Sequence, residues 1–94
     1  MTAQAIIEKL KNFPLWNIKN GKATRTFKFR NYSETLAFVN TVANLAEKMN
    51  HHPDINFGYN KLEVSYQTHD ANNQITAKDM KAIAAVEQLI AGDD

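Results

Sequence analysis

The sequence predicts an α+β two-layer sandwich, ordered α-ββ-α-ββ-α, with a four-stranded antiparallel sheet and three helices on one face. Three observations lead there. Two pairs of strand-like segments follow each other closely enough to be hairpins, the first of them through Asn20-Gly21, and hairpins favour an antiparallel sheet. Helical apolar periodicity occurs before, between and after those pairs. No linker, low-complexity run or long internal repeat divides the 94 residues, so residues 1–94 read as a single domain.

Thr2 to Lys11 reads as a short helix, capped by Thr2, with Ile6, Ile7 and Leu10 at helical spacing. Pro14 ends it, because proline lacks the N–H that the helical ladder needs. Leu15 to Lys19 is a predicted strand, and Asn20-Gly21 tolerates the positive φ of a tight turn. The return strand runs from Lys22 to Arg30, with Phe27 and Phe29 on one face and Thr26, Lys28 and Arg30 on the other. Ser33 is the predicted N-cap of a long helix ending near Asn50. Leu36, Val39, Val42, Ala43 and Ala46 form its core stripe, facing Phe27, Phe29, Val64 and Tyr66.

Ile55 to Tyr59 and Lys61 to His69 form the second predicted hairpin. Leu62, Val64, Tyr66 and Thr68 point one way along its return strand, and Glu63, Ser65, Gln67 and His69 the other. Asp70 to Gln74 is a polar loop. Thr76 opens the last helix, with Asp79 at capping-box spacing and Met80, Ile83, Ala84, Val86 and Ile90 on the apolar face. Gly92-Asp93-Asp94 reads as a frayed tail.

Composition narrows the function. The net charge is +1 with histidines neutral, which supplies no strong drive toward nucleic acid or anionic membrane. Lys9, Lys11, Lys19, Lys22, Arg25, Lys28 and Arg30 make the first third basic, but such runs are usually solvated faces and acids balance them elsewhere. With no cysteine there is no disulfide framework and no thiolate metal site. The N-terminus has no signal-peptide pattern, and no apolar run nears the ~20 residues of a membrane helix. The expectation is a soluble cytoplasmic protein.

The three histidines, His51, His52 and His69, are the candidate chemistry. Histidine alone has an unperturbed pKa between pH 5 and 8, so it can give and take protons near neutrality. His51 and His52 follow a helix C-terminus, whose partial negative charge favours imidazolium, and Glu47 one turn earlier is placed to tune His51. Two adjacent imidazoles resist joint protonation and can divide into an acid and a base. Spacing alone favours the plainer reading, in which Asn50-His51-His52-Pro53 simply ends a helix. A metal site is disfavoured, because adjacent side chains on an extended segment diverge.

The segment Glu47-Lys48-Met49-Asn50-His51-His52-Pro53-Asp54, followed by Tyr59-Asn60-Lys61 and Thr68-His69, resembles the signature of the pterin-4a-carbinolamine dehydratases. The resemblance extends upstream through Trp16 and Phe27-Lys28-Phe29, and downstream through Ile75-Thr76-Ala77-Lys78-Asp79. It covers about Leu15 to Leu89. Ile55 departs from the family, many of whose members carry Trp there.

That resemblance implies an enzyme that dehydrates 4a-hydroxytetrahydropterin to quinonoid dihydropterin and water. The reaction recycles the tetrahydropterin of aromatic amino acid hydroxylases, with no metal or redox cofactor. It implies that His51, His52 and His69 are catalytic, with His52 orienting the substrate and His51 and His69 as candidates for acid and base. Glu47, Pro53 and Asp79 would bind or orient; Asp79 would either cap its helix or hold an imidazole. Trp16 is read as core or pocket wall and stays outside the catalytic set. The resemblance also implies a homodimer or homotetramer. The rival it carries is a non-enzymatic interaction protein of the same fold, since vertebrate members are also dimerisation cofactors for a homeodomain transcription factor.

Overall fold

Thr2 caps the first helix, α1 (Ala3–Leu10): its Oγ1 accepts from the Ala5 N–H at 3.1 Å. The computed structural model describes residues 2–91, so the predicted tail at Gly92-Asp93-Asp94 lies outside the described residues. The chain continues through β1 (Asn17–Lys19), β2 (Lys22–Lys28), α2 (Tyr32–Met49), β3 (Asp54–Phe57), β4 (Lys61–Tyr66), a 3-10 turn at His69–Ala71 and α3 (Ala77–Ala91). Three helices and one antiparallel sheet in this order are the predicted two-layer α+β fold.

The sheet order is β1-β2-β4-β3. Asn20 and Gly21 both take positive φ, 53° and 79°, the requirement of a tight turn whose twist matches its strands. Across β2 and β4, Ala23 pairs with Tyr66, Arg25 with Val64 and Phe27 with Leu62. These positions face the helices, and the first and last of those pairs are buried. The intervening row, Thr24–Ser65, Thr26–Glu63 and Lys28–Lys61, lies on the uncovered face. Trp16 joins the core at 3% exposure, with its ring edge-on to Phe27 and its Nε1 donating to Glu87 at 2.6 Å.

Several boundaries differ from expectation. The N-cap of α2 is Asn31, not Ser33: Asn31 Oδ1 accepts from the Glu34 N–H at 2.9 Å, while Glu34 reaches back to the Arg30 N–H at 3.0 Å. Leu36 is 39% exposed and outside the core. The buried stripe is Thr35, Val39, Val42 and Ala46, with Ala43 half-buried beside it. Thr35 can hold a core position because its hydroxyl lies 2.9 Å from the Asn31 carbonyl and 3.0 Å from the Tyr59 carbonyl. β1 starts two residues late, β2 stops before Phe29, and β3 is shifted to Asp54–Phe57. β4 stops at Tyr66 rather than His69, because the chain turns into a loop closed by the Thr68–Gln74 bridge.

The basic first third is largely neutralised. Lys11 pairs with Glu8, Lys19 with Glu63, Lys22 with Asp54, Arg25 with Glu87 and Arg30 with Glu34. No helix among the described residues is long and apolar enough to cross a membrane.

Candidate active site

The C-terminus of α2 sets the geometry of the histidine pair. Asn50 adopts the left-handed conformation at φ 51°, which asparagine tolerates better than most residues. Its N–H meets the Glu47 carbonyl at 3.2 Å, and the His51 N–H meets the Ala46 carbonyl at 3.1 Å. These are the two bonds of a Schellman motif, so the chain reverses at Asn50. Pro53 then holds His52 before it toward extended backbone and leads into β3.

His51 turns inward, toward α3. Its Nε2 lies 2.6 Å from Asp79 Oδ1, with the His51 side chain 14% exposed and Asp79 fully buried. Asp79 is a hub. Its Oδ2 accepts from the Thr76 N–H at 2.8 Å and from the Thr68 hydroxyl at 2.7 Å. Asp79 therefore caps α3 and also holds an imidazole, and its negative end sits at a helix N-terminus, where it is favoured.

The hydroxyls around Asp79 are wired in one direction. Thr68 gives its single proton to Asp79, so the 2.5 Å contact between the two threonine hydroxyls must run from Thr76 to Thr68. The Lys78 N–H completes the chain onto Thr76 Oγ1 at 3.3 Å. With Asp79 acting as acceptor throughout, this network assigns the proton of neutral His51 to Nε2 and leaves Nδ1 as its free base.

His52 points elsewhere. Its Nε2 lies 2.6 Å from Glu47 Oε1, with the two side chains 56% and 78% exposed. The expected partnership of Glu47 with His51 is thus replaced by one with His52, a consequence of the reversal at Asn50. His69 is exposed in the 3-10 turn, and its Nδ1 lies 3.0 Å from Asn73 Oδ1. Asn72 and Asn73 both take positive φ, 57° and 59°, which closes this loop tightly.

No hydrogen bond joins the imidazoles to one another among the described residues. Asp79 links their two chain segments instead: His51 on one oxygen, and on the other Thr68, the residue before His69. Asn73, the partner of His69, also lines an apolar groove of about 350 Å³ with Ile6, Ile7, Ile18 and Ile75. A separate polar depression of about 310 Å³ lies on the uncovered sheet face between Lys19, Lys22, Thr24, Asp54, Glu63 and Ser65.

Two contributors escaped the sequence reading. Thr68 was placed on the buried face of its strand, where a hydroxyl must find a partner; that requirement was the available signal. Tyr66 was read as core, yet its ring also stacks on His51, with centroids 5.7 Å apart and planes 13° apart. Burial, and then the Asp79 carboxylate, push its phenol up to about 12.

Comparison with known proteins adds to this geometry. The family model described as pterin 4 alpha carbinolamine dehydratase matches residues 1–89. A protein of Chloroflexus aurantiacus, named "Putative pterin-4-alpha-carbinolamine dehydratase", is 40% identical over 85 residues, covering 90% of each chain. One of Picosynechococcus with the same name is 40% identical over 89 residues, covering 95% of this chain and 96% of that one. Among solved structures, a transcriptional coactivator/pterin dehydratase from Brucella melitensis is similar at a TM-score of 0.83 and 31% identity. It aligns over 94% of this chain and 95% of its own. A pterin dehydratase-like protein identified as a RuBisCO assembly factor in the alpha-carboxysome is similar at a TM-score of 0.60 and 26% identity, over 84% and 89%.

Proposed function

Because the chain belongs to the pterin 4 alpha carbinolamine dehydratase family, we propose that it dehydrates 4a-hydroxytetrahydropterin to quinonoid dihydropterin and water by histidine acid–base catalysis. The observation that carries this reading is the buried Asp79 that holds His51 Nε2 and, through Thr68, the start of the His69 turn. A carboxylate so placed fixes one imidazole nitrogen and leaves the other for proton exchange.

Only two proton movements are needed. The C4a hydroxyl leaves as water once an acid protonates it. N5 gives up its proton to a base as the C4a–N5 double bond forms. His51 and His69 are the acid–base pair, working through the nitrogens not bonded to Asp79 and Asn73. His52 orients the substrate and stabilises the departing hydroxyl, with Glu47 on its far nitrogen. Pro53 fixes the direction in which His52 leaves the helix. Positioned acid–base groups of this kind give about 10²–10⁴-fold in rate. The whole chain acts as one domain, in the cytoplasm, with no metal or redox cofactor.

An assembly belongs to the proposal. β3 is an edge strand with one unpaired ladder, and Phe57 at its end is 37% exposed and packed on the 47% exposed Tyr32. A symmetric homodimer or homotetramer would cover both. Sedimentation at micromolar concentration tests this, and a monomer there contradicts it.

The competing reading is an interaction protein without catalysis, which the names of the two structural relatives, a coactivator and an assembly factor, keep in view. Stopped-flow decay of the carbinolamine, with and without chelator, separates them. Acceleration that survives chelation supports the dehydratase. A decay rate equal to buffer alone removes it.

A further inference from the structure

Tyr66 has no part in the proton transfers, yet it is the largest fully buried side chain and lies against His51. Its hydroxyl is buried with no hydrogen-bond partner among the described residues, a state that disfavours Tyr relative to Phe. With its pKa pushed up to about 12, the phenol keeps its proton at neutral pH and is no acid or base for the reaction. What Tyr66 offers His51 is a flat ring.

His51 needs one. The bond from Nε2 to Asp79 Oδ1 fixes a point on the imidazole but leaves the ring free to rock about it. Where Nδ1 then points depends on the plane of the ring. The Tyr66 ring lies within 13° of that plane at a centroid distance of 5.7 Å, the geometry of an offset stack. Tyr66 is itself immobilised: its backbone pairs with Ala23 in the middle of the sheet, and its ring meets Trp16 at 6.1 Å. Rigid support of this kind is what a proton-transfer group needs, since small misalignments cost rate steeply.

We propose that Tyr66 is a positioning residue for His51, its ring fixing the imidazole plane so that Nδ1 is aimed at the substrate. The catalytic half of this proposal rests on the role given to His51 above; the stacking half does not. Because the ring acts and the hydroxyl does not, phenylalanine serves equally well and a flexible aliphatic residue does not.

The test compares Tyr66→Phe and Tyr66→Leu by steady-state kinetics and by the His51 ring-proton resonances. Tyr66→Phe keeps kcat within about twofold and leaves the upfield-shifted His51 resonances in place. Tyr66→Leu lowers kcat by about tenfold with KM held within about twofold, and the His51 resonances move downfield as the ring current is lost. A Leu variant with wild-type kcat overturns the proposal, as does a Phe variant as impaired as Leu. Should Tyr66→Leu not fold, the wild type decides: cross-relaxation between the His51 and Tyr66 rings supports the stack, and its absence overturns it. A wild type that stacks but catalyses nothing defeats the dehydratase reading and leaves the stack standing.

Discussion

Two imidazole–carboxylate pairs lie one residue apart, each with the same 2.6 Å separation, and they are physically unlike. His51–Asp79 is buried, and its carboxylate also serves a helix cap and a threonine hydroxyl. His52–Glu47 stands in solvent, and neither side chain makes a further hydrogen bond among the described residues. In water such a pair is worth at most about 1 kcal/mol, whereas removing one partner of a buried network leaves polar groups stranded at several times that cost. Distance therefore says little here. Burial makes the first pair part of the scaffold and leaves the second free to adapt to a ligand.

The difference is broken most directly at Asp79. Asp79→Ala strands the Thr76 N–H and the Thr68 hydroxyl and frees His51. Urea denaturation should show a loss of about 2–5 kcal/mol. If stability is unchanged, the buried pair is no part of the scaffold. His52→Ala should do the reverse, cutting turnover about 10²-fold or more with the melting temperature held. Unchanged turnover removes His52 from the mechanism.

Tyr66, between the pair and the core, gives a pH test. Its pKa rises from 10.0 to about 12 on folding, so the folded state prefers the neutral phenol. The associated stability is fully present below pH 10 and is lost as pH climbs through 12, by up to about 2–3 kcal/mol. Tyr66→Phe should therefore be at least as stable as the wild type near neutrality, and its advantage should widen as pH climbs from 10 through 12. Coincident alkaline transitions would contradict the buried environment assigned to the phenol. The smallest effect is expected from Glu47→Gln, within about 0.5 kcal/mol of wild-type stability by the same denaturation. A loss comparable to that of Asp79→Ala would erase the distinction between the pairs.

Much of this was legible in the residues. Alternation through Leu62, Val64 and Tyr66 set the buried face of β4, and Asn20-Gly21 marked the hairpin of β1 and β2. The spacing of Thr76 and Asp79 announced a cap. What stayed hidden was tertiary. Thr35 displaces Leu36 from the core through a bond to the Tyr59 carbonyl, 24 residues away. The resemblance offered Asp79 as a cap or as the holder of an imidazole, and it is both; that the imidazole is His51, 28 residues away, no periodicity encodes. Glu47 was assigned to His51 by counting one helical turn, but the left-handed Asn50 ends the helix first and brings His52 to Glu47 instead. His69 lost its strand because Thr68 closes the loop with Gln74.

The rate of carbinolamine decay with wild-type protein and with His51→Ala and His52→Ala, each verified as folded, tests the central claim most directly. Wild-type protein should accelerate the decay, and that acceleration should fall about 10²-fold or more in either variant. Equal decay in wild type, variants and buffer would contradict it.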